Sequence, residues 1–329
     1  MDFDADGIED LISGSYDPGE IYLFRGEGRG KFKARETVTD RSGKPVLRKP
    51  DQEISVESFG SWPAMVDWDG DGDLDLLFGG FDGTLNLRVN EGTRQAPAFA
   101  TSNTVVRAGG EPVKIPDGHC TPVIADWDGD GRWDILSGAA TGAVYWFRNV
   151  GKPGRPEFAA AVELLRRHRG LGYSEFLDTD EEPRPGIRSQ IDVVDYDDDG
   201  KLDLLVGDFC TYLSPRDDLS PAERREVTDL RSRLDRLEPA VAERNRKMQE
   251  EMKAFWEPIP LKDQLTAEVQ AKVRKKQEEI AARPENKAIS DEMESVNRRM
   301  KHFLRPAGPG AIGGGQDTPH GYVWLFLRK

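Results

Sequence analysis

Short apolar runs closed by glycine recur along the chain: Leu11-Ile12-Ser13-Gly14, Leu76-Leu77-Phe78-Gly79, Ile135-Leu136-Ser137-Gly138 and Leu204-Leu205-Val206-Gly207. Runs this short, bounded by glycine, predict buried strands, because an amphipathic helix needs a longer periodic stretch. A further apolar run follows each, at Ile21–Phe24, Leu85–Val89, Val144–Phe147 and, far downstream, Tyr322–Leu327. Another precedes three of them, at Pro63–Val66, Val123–Ala125 and Ile191–Val194. The pattern predicts a repeated unit of first, second and third strands, with an outer strand near Phe99–Val106 and again within residues 151–187.

From Ser220 the period changes from two to between three and four. Val227, Leu230, Leu234, Leu237 and Val241 form one seam. Leu265, Val269, Val273 and Ile280 form a second, and Ile289, Met293, Val296, Met300 and Phe303 a third. Ser220-Pro221-Ala222-Glu223 reads as a capping box with proline at the first helical position. Breaks at Glu257-Pro258-Ile259-Pro260 and Arg283-Pro284 predict an antiparallel helical hairpin or a three-helix unit. Tyr322–Leu327 aligns with the third strand of the earlier units. The helical segment is therefore expected as an insertion in the fourth unit, giving segments 1–217, 218–306 and 307–329, the last opened by the glycine-rich linker Gly308–Gly315.

Between the first and second strands lies D-x-D-x-D-G-x-x-D, written four times, at Asp2–Asp10, Asp67–Asp75, Asp126–Asp134 and Asp195–Asp203. Carboxylates at positions 1, 3, 5 and 9, glycine at 6 and a backbone carbonyl at 7 suit a hard cation with six to eight oxygen ligands, calcium above all. The candidate ligands are Asp2, Asp4, Asp6, Ile8 and Asp10; Asp67, Asp69, Asp71, Asp73 and Asp75; Asp126, Asp128, Asp130, Arg132 and Asp134; and Asp195, Asp197, Asp199, Lys201 and Asp203. An EF-hand needs glutamate at position 12 and flanking helices. Ser13, Phe78, Ser137 and Val206 stand there, and strands are predicted instead.

These loops with their strands resemble the FG-GAP or VCBS repeats of β-propellers, including the calcium-loop blades of integrin alpha subunits and of bacterial surface proteins. Phe59-Gly60 precedes the second unit, and no Gly-Ala-Pro signature is present. The resemblance implies an all-β fold: a β-propeller of about four recognisable calcium-loop blades with a helical insertion in the last. It also implies up to four structural calcium ions. The blade count leaves two accounts, a small ring with partial first and last blades or a piece of a larger one. The first loop opens at Asp2, so an upstream segment is expected.

In propeller topology the turns joining strands two and three gather on the face away from the loops. That face would collect Tyr16, Trp62, Phe81, His119, Arg188 and Asp208 as a candidate ligand site. The first expectation is an extracellular binding or adhesion module for a protein or glycan. The alternative is a propeller enzyme acting on polysaccharide, with a carboxylate pair in a channel under the helices. The helices read as a cover for the channel mouth, or as an arm for oligomerisation or partner contact.

Composition sharpens this picture in three ways. The net charge of -14 is concentrated in the four loops and excludes a nucleic-acid partner. No run of 18 apolar residues is present, so no membrane span is predicted, and no signal peptide is visible. Placement outside the cell, in the periplasm or at the cell surface is inferred from the calcium loops. Cys120 and Cys210 read either as two buried thiols or, in an exported protein, as a disulfide. His119, His168, His302 and His320 are scattered, and no nucleophile-elbow, P-loop or dinucleotide motif appears.

Overall fold

The computed structural model of the chain describes residues 1–48, 60–116, 118–167, 174–176, 185–256, 258–259, 266–304 and 318–328. Phe59, Leu265 and Gly308–Gly315 lie outside these residues. The chain divides into two compact units, one comprising Met1–His168, Arg184–Cys210 and Gly321–Lys329, the other Arg169–Pro183 and Thr211–His320. The fold is mostly β-sheet with a helical part.

The first unit contains one antiparallel sheet per repeat. The second repeat orders Trp62–Val66, Asp75–Gly79, Leu85–Arg88 and Thr104–Val105 side by side. The third orders Thr121–Ala125, Asp134–Gly138, Val144–Phe147 and Val162–Leu165 in the same way. In the first repeat Leu11–Gly14 pairs with Ile21–Phe24, which pairs with Glu36–Thr37. In the fourth, Ile187–Val194 pairs with Asp203–Leu213, and Val323–Phe326 returns to pair on its other edge, with Leu204 opposite Phe326 and Gly207 opposite Val323. The second strand there does not turn at its glycine, as the apolar run suggests, but continues to Leu213 over 11 residues. Phe209 and Thr211 extend the strand alternation past Gly207, which removes the local reason to stop.

Strand alternation assigns each side chain to one of two neighbours. Leu76 and Phe78 point toward the first repeat and pack with Ile21 and Leu23, while Leu77, Leu85 and Leu87 pack with Ile135 and Phe147 of the third. Leu136 and Val144 of the third repeat pack in turn with Leu204 and Val206 of the fourth. Consecutive sheets therefore stack face on face in chain order, and the second and third sheets bury both sides of their second strand between neighbours.

A glycine sets how closely each pair approaches. A Cβ on Gly14 would occupy the space of the Ser61 carbonyl, one on Gly79 that of Cys120, and one on Gly138 that of Ser189. Two backbone hydrogen bonds accompany each approach. Ser61 N donates to Ser15 O (3.3 Å) and Gly60 N to Tyr16 O (2.7 Å); Cys120 N donates to Gly80 O (3.0 Å) and His119 N to Phe81 O (3.1 Å). Ser189 N donates to Ala139 O (3.1 Å) and Arg188 N to Ala140 O (2.9 Å). Cys120 and Cys210 are buried and form no disulfide with each other, and burial pushes the Cys120 thiol up to about 12.

In the second unit α1 (Pro221–Trp256), α2 (Ala267–Ala281) and α3 (Pro284–Met300) follow one another. Ser220 N donates to Glu223 (2.7 Å) and Ser220 Oγ accepts from Glu223 N (3.3 Å), the reciprocal capping box. Helices α1 and α3 run antiparallel, joined by Glu226–Arg299, Arg233–Glu292 and Glu251–Arg283 pairs. Val227 and Leu230 meet Val296 and Met300 in a buried cluster. These seams face each other across the α1–α3 pair. No helix among the described residues is long and apolar enough to cross a membrane.

The glycine contacts predict a graded series. Gly79→Ala and Gly138→Ala should each cost about 2–3 kcal/mol, because a methyl must displace backbone. Gly207→Ala, whose nearest atom is Gln190 O at 3.4 Å, should cost well under about 1 kcal/mol. Urea unfolding of the three variants checks this, and equal losses would refute the close-approach account.

Candidate functional site

Each acidic loop is shaped by two left-handed residues. At position 4 stand Ala5 (φ 60°), Gly70 (79°), Gly129 (75°) and Asp198 (58°); at position 6 stand Gly7, Gly72, Gly131 and Gly200 (84° to 94°). This curl turns backbone amides onto the position-1 carboxylate. Asp2, Asp126 and Asp195 each accept from the amides of positions 5 and 6, at 2.9 to 3.1 Å. Asp67 accepts instead from Gly70 (2.9 Å) and Gly72 (3.2 Å). The position-5 carboxylates Asp6, Asp71, Asp130 and Asp199 accept the amides of Ile8, Asp73, Arg132 and Lys201 at 2.8 to 3.0 Å.

Four groups of carboxylate oxygens result, each lying within 4.8 Å of one another: Asp2, Asp4 and Asp6; Asp67, Asp69 and Asp71; Asp126, Asp128 and Asp134; Asp195, Asp197 and Asp199. In the third group Asp134 stands where position 5 stands elsewhere. Asp130 is turned aside by ion pairs with Arg132 and with Arg148 (3.2 Å). Arg25 reaches Asp4 in the first loop and Lys201 reaches Asp199 (3.2 Å) in the fourth.

The second loop has no lysine or arginine paired to it among the described residues, and its carboxyls register the crowding. Burial, reinforced by Asp71, Asp69 and Asp67, raises the Asp73 carboxyl above the ordinary carboxylate range. Burial also pushes Asp75 up to about 6, against the pull of two backbone amides and with the help of Asp69 and Asp73. One oxygen of Asp73 and one of Asp128 are buried with no hydrogen-bond donor.

Position 9 has a second task that its place in the motif does not reveal. Asp10, Asp75, Asp134 and Asp203 are buried, and each accepts the amide of position 2 through Oδ2: Phe3 (2.8 Å), Trp68 (2.8 Å), Trp127 (3.2 Å) and Tyr196 (2.9 Å). Through Oδ1 each accepts the amide just past the third strand: Gly26 (2.8 Å), Asn90 (2.7 Å), Asn149 (2.7 Å) and Arg328 (2.8 Å). The carboxylate thus ties loop to third strand, in the fourth repeat across 125 residues. Asn90 and Asn149 then cap an outer hairpin through their side chains, accepting from Gly92 and Ala98 and from Gly151 and Glu157. The shared N-x-G spacing at 90 and 149, each followed by a phenylalanine nine residues on, carries that signal in the sequence.

At the opposite strand ends, away from the acidic loops, four of the six candidate ligand residues come together. The Phe81 ring lies 5.3 Å from Tyr16, 5.0 Å from Trp62 and 4.3 Å from His119, all edge-on, and Trp62 lies 5.4 Å from His119. Tyr16 is 68% exposed. His119 (φ 58°), just before the first strand of the third repeat, and Arg188 (φ 55°), near the start of that of the fourth, occupy equivalent positions, where the second repeat has Gly60 (φ 68°). A left-handed conformation disfavours side chains larger than glycine, so both are held there by the sheets around them. Burial, with Arg188 nearby, lowers the His119 imidazole to about 4. Asp208 is engaged otherwise, accepting from Gly186 N (2.6 Å), Tyr322 N (2.8 Å) and Trp324 Nε1 (2.9 Å). Next to Phe81 in the chain, Asp82 pairs with buried Arg48 (2.5 Å), which keeps that carboxyl below its usual range although burial opposes the charge.

Comparison with known proteins identifies residues 67–137 as an FG-GAP-like repeat. No curated protein matches the chain. Among solved structures the chain is similar to the Tc holotoxin pore of Photorhabdus luminescens, at 18% identity and a TM-score of 0.33, over 60% of this chain. It spans 8% of the length of that chain.

Two predictions follow from the local geometry. Asp75→Ala strands two buried amides and should cost about 2–5 kcal/mol with or without metal, whereas Asp71→Ala, at an exposed position, should cost under about 1 kcal/mol in metal-free protein. Chelator-treated protein in urea separates the two. His119 has a folded pKa below its unfolded value near 6.5, so its contribution to stability is complete above that value and is lost as pH falls toward about 4. Its imidazole resonances should stay unprotonated down to pH ~5; a midpoint near 6.5 would contradict the packing.

Proposed function

We propose that the four repeats are β-propeller blades, each stapled by a calcium ion at its acidic loop, and that the chain works outside the cell as a binding module for a protein or glycan. The observation that carries the metal reading is the fourfold clustering of carboxylates, together with the buried oxygens of Asp73 and Asp128 that have no donor. Two carboxylates 4.8 Å apart repel by about 3 kcal/mol at an effective dielectric of 20. Three in one loop are a standing cost, and a divalent cation offsets it.

The residues fit such an ion by the chemistry of their donors. Positions 1, 3 and 5 in the first, second and fourth loops, and Asp126, Asp128 and Asp134 in the third, supply hard oxygens, with the position-7 carbonyls of Ile8, Asp73, Arg132 and Lys201 as further ligands. The ion would supply charge neutralisation. The chain's own amides pre-orient positions 1 and 5, which lowers the ordering cost of filling the site. Sites this open to solvent suit the millimolar calcium found outside cells.

The ligand surface in this reading is the cluster of Tyr16, Trp62, Phe81 and His119, with Arg188 beside it. Exposed aromatic edges held rigidly by their neighbours offer contact area at small entropic cost. His119 stays neutral above pH ~5 and so presents a hydrogen-bonding imidazole without charge.

Elemental analysis should find about four calcium ions per chain, and excess chelator should lower the melting temperature by more than about 10 °C through linkage. Trp62→Ala should abolish ligand capture on a glycan or surface-protein array while leaving calcium content unchanged. Chelator-indifferent melting would sink the calcium reading, and unchanged capture by the Trp62 variant would move the ligand elsewhere.

A further inference from the structure

We propose that the four acidic loops are unequal: the second is the tight calcium site, and the third carries two arginines that stand in for much of the ion's charge. The inference rests on the calcium reading above and ranks the loops within it.

Repeat equivalence supplies the comparison. The third strand pairs with the second in one register, with Leu76 opposite Arg88 and Ile135 opposite Phe147. Val89 therefore stands where Arg148 stands, and Asp73, at position 7, where Arg132 stands. The second loop holds five aspartates and faces neither arginine; the third holds four and faces both. Each of these two loops belongs to a repeat with another repeat of this chain on either side, so like is compared with like.

In the third loop both arginines are engaged. Arg148 pairs with Asp128 (2.5 Å) and Asp130 (3.2 Å), and Arg132 pairs with Asp130. A cation entering there meets two carboxylates already held by guanidinium groups, and it must displace one of them to use Asp128 fully. The first and fourth loops are intermediate, with Arg25 on Asp4 and Lys201 on Asp199 (3.2 Å). Among the described residues no lysine or arginine pairs with Asp67, Asp69, Asp71, Asp73 or Asp75.

Asp73 adds an observation that does not come from the cluster itself. It is 4% exposed, its Oδ1 is buried without a hydrogen-bond donor, and Asp67, Asp69 and Asp71 lie near enough to act on its charge. A buried carboxylate oxygen with no donor is costly, and a cation in the second loop relieves that cost. Its counterparts Ile8, Arg132 and Lys201 carry no carboxylate, so this oxygen is peculiar to the second loop.

The second loop is also braced from outside. Gly154, between the bridged Lys152 and Arg155 of the third repeat's outer hairpin, lies against Asp69 and Gly70. A Cβ on Gly154 would fall 2.4 Å from the Asp69 carbonyl oxygen, so the two backbones are in close contact. Calcium affinity follows the charge and the rigidity of the ligand set, and both favour the second loop over the third. At limiting calcium the second loop fills first.

Calorimetric titration of the chelator-treated full chain with calcium tests the ranking. One site should bind at least about tenfold more tightly than the rest. Asp69→Asn, at an exposed position, should remove the tight site and leave the weaker ones in place. Arg148→Val, which gives the third repeat the residue of the second, should tighten one weak site several-fold without moving the tight one. Arg148→Gln should show the same gain without adding an apolar side chain to the surface. Binding by no loop would sink the calcium reading and the ranking together. Four sites of equal affinity, a tight site that survives Asp69→Asn, or Arg148 variants that gain nothing would overturn the ranking and leave the calcium reading standing.

Discussion

Four buried aspartates hold the repeat architecture together. Asp10, Asp75, Asp134 and Asp203 each accept one amide from the acidic loop and one from the residue beyond the third strand. Burying a carboxylate is costly, and two amides aimed at it are what make the burial tolerable. Asp75 shows the balance, since its carboxyl rises to about 6 even with both amides in place. The same bond explains how the fourth repeat survives more than a hundred residues between its second and third strands. The clamp fixes where the returning strand must end, and sheet pairing at Leu204–Gly207 fixes its register, whatever lies between.

The loop thereby separates two tasks that the spelling D-x-D-x-D-G-x-x-D merges. Positions 1, 3 and 5 gather charge near solvent, while position 9 is drawn inward by the sheet. The third loop is the informative departure. There Arg132 and Arg148 draw Asp130 away, and the inward Asp134 joins the cluster, so one residue serves both the clamp and the carboxylate group.

Much of the strand plan was legible because alternation and glycine-closed runs report burial directly. Leu11–Gly14, Asp75–Gly79, Asp134–Gly138 and the returning Val323–Phe326 all sit where those runs place strands. Seams at spacings of three and four, with Ser220 as cap, likewise located the helices. What periodicity cannot report is what a polar side chain accepts. Asp208 reads as an exposed ligand group next to an aromatic, yet it is committed to Gly186, Tyr322 and Trp324, two of them over a hundred residues away. Position 4 of the loops was also silent: Ala5 and Asp198 carry no mark of the left-handed turn that Gly70 and Gly129 advertise. The meeting of Tyr16, Trp62, Phe81 and His119 was readable only because repeats place equivalent turns at equivalent strand ends.

Repetition also makes exposure interpretable. An exposed valine on an ordinary surface says little, since much of any protein surface is apolar. Val323 differs because its counterparts Ile21, Leu85 and Val144 are wholly buried by one and the same packing arrangement. Each repeat is thus a control for the others, and a position that departs from its equivalents in burial, while keeping their chemistry, marks where the stacking is incomplete. Tyr196 and Phe32 keep that chemistry, as does Leu11, and all three are exposed where their equivalents in other repeats are more covered.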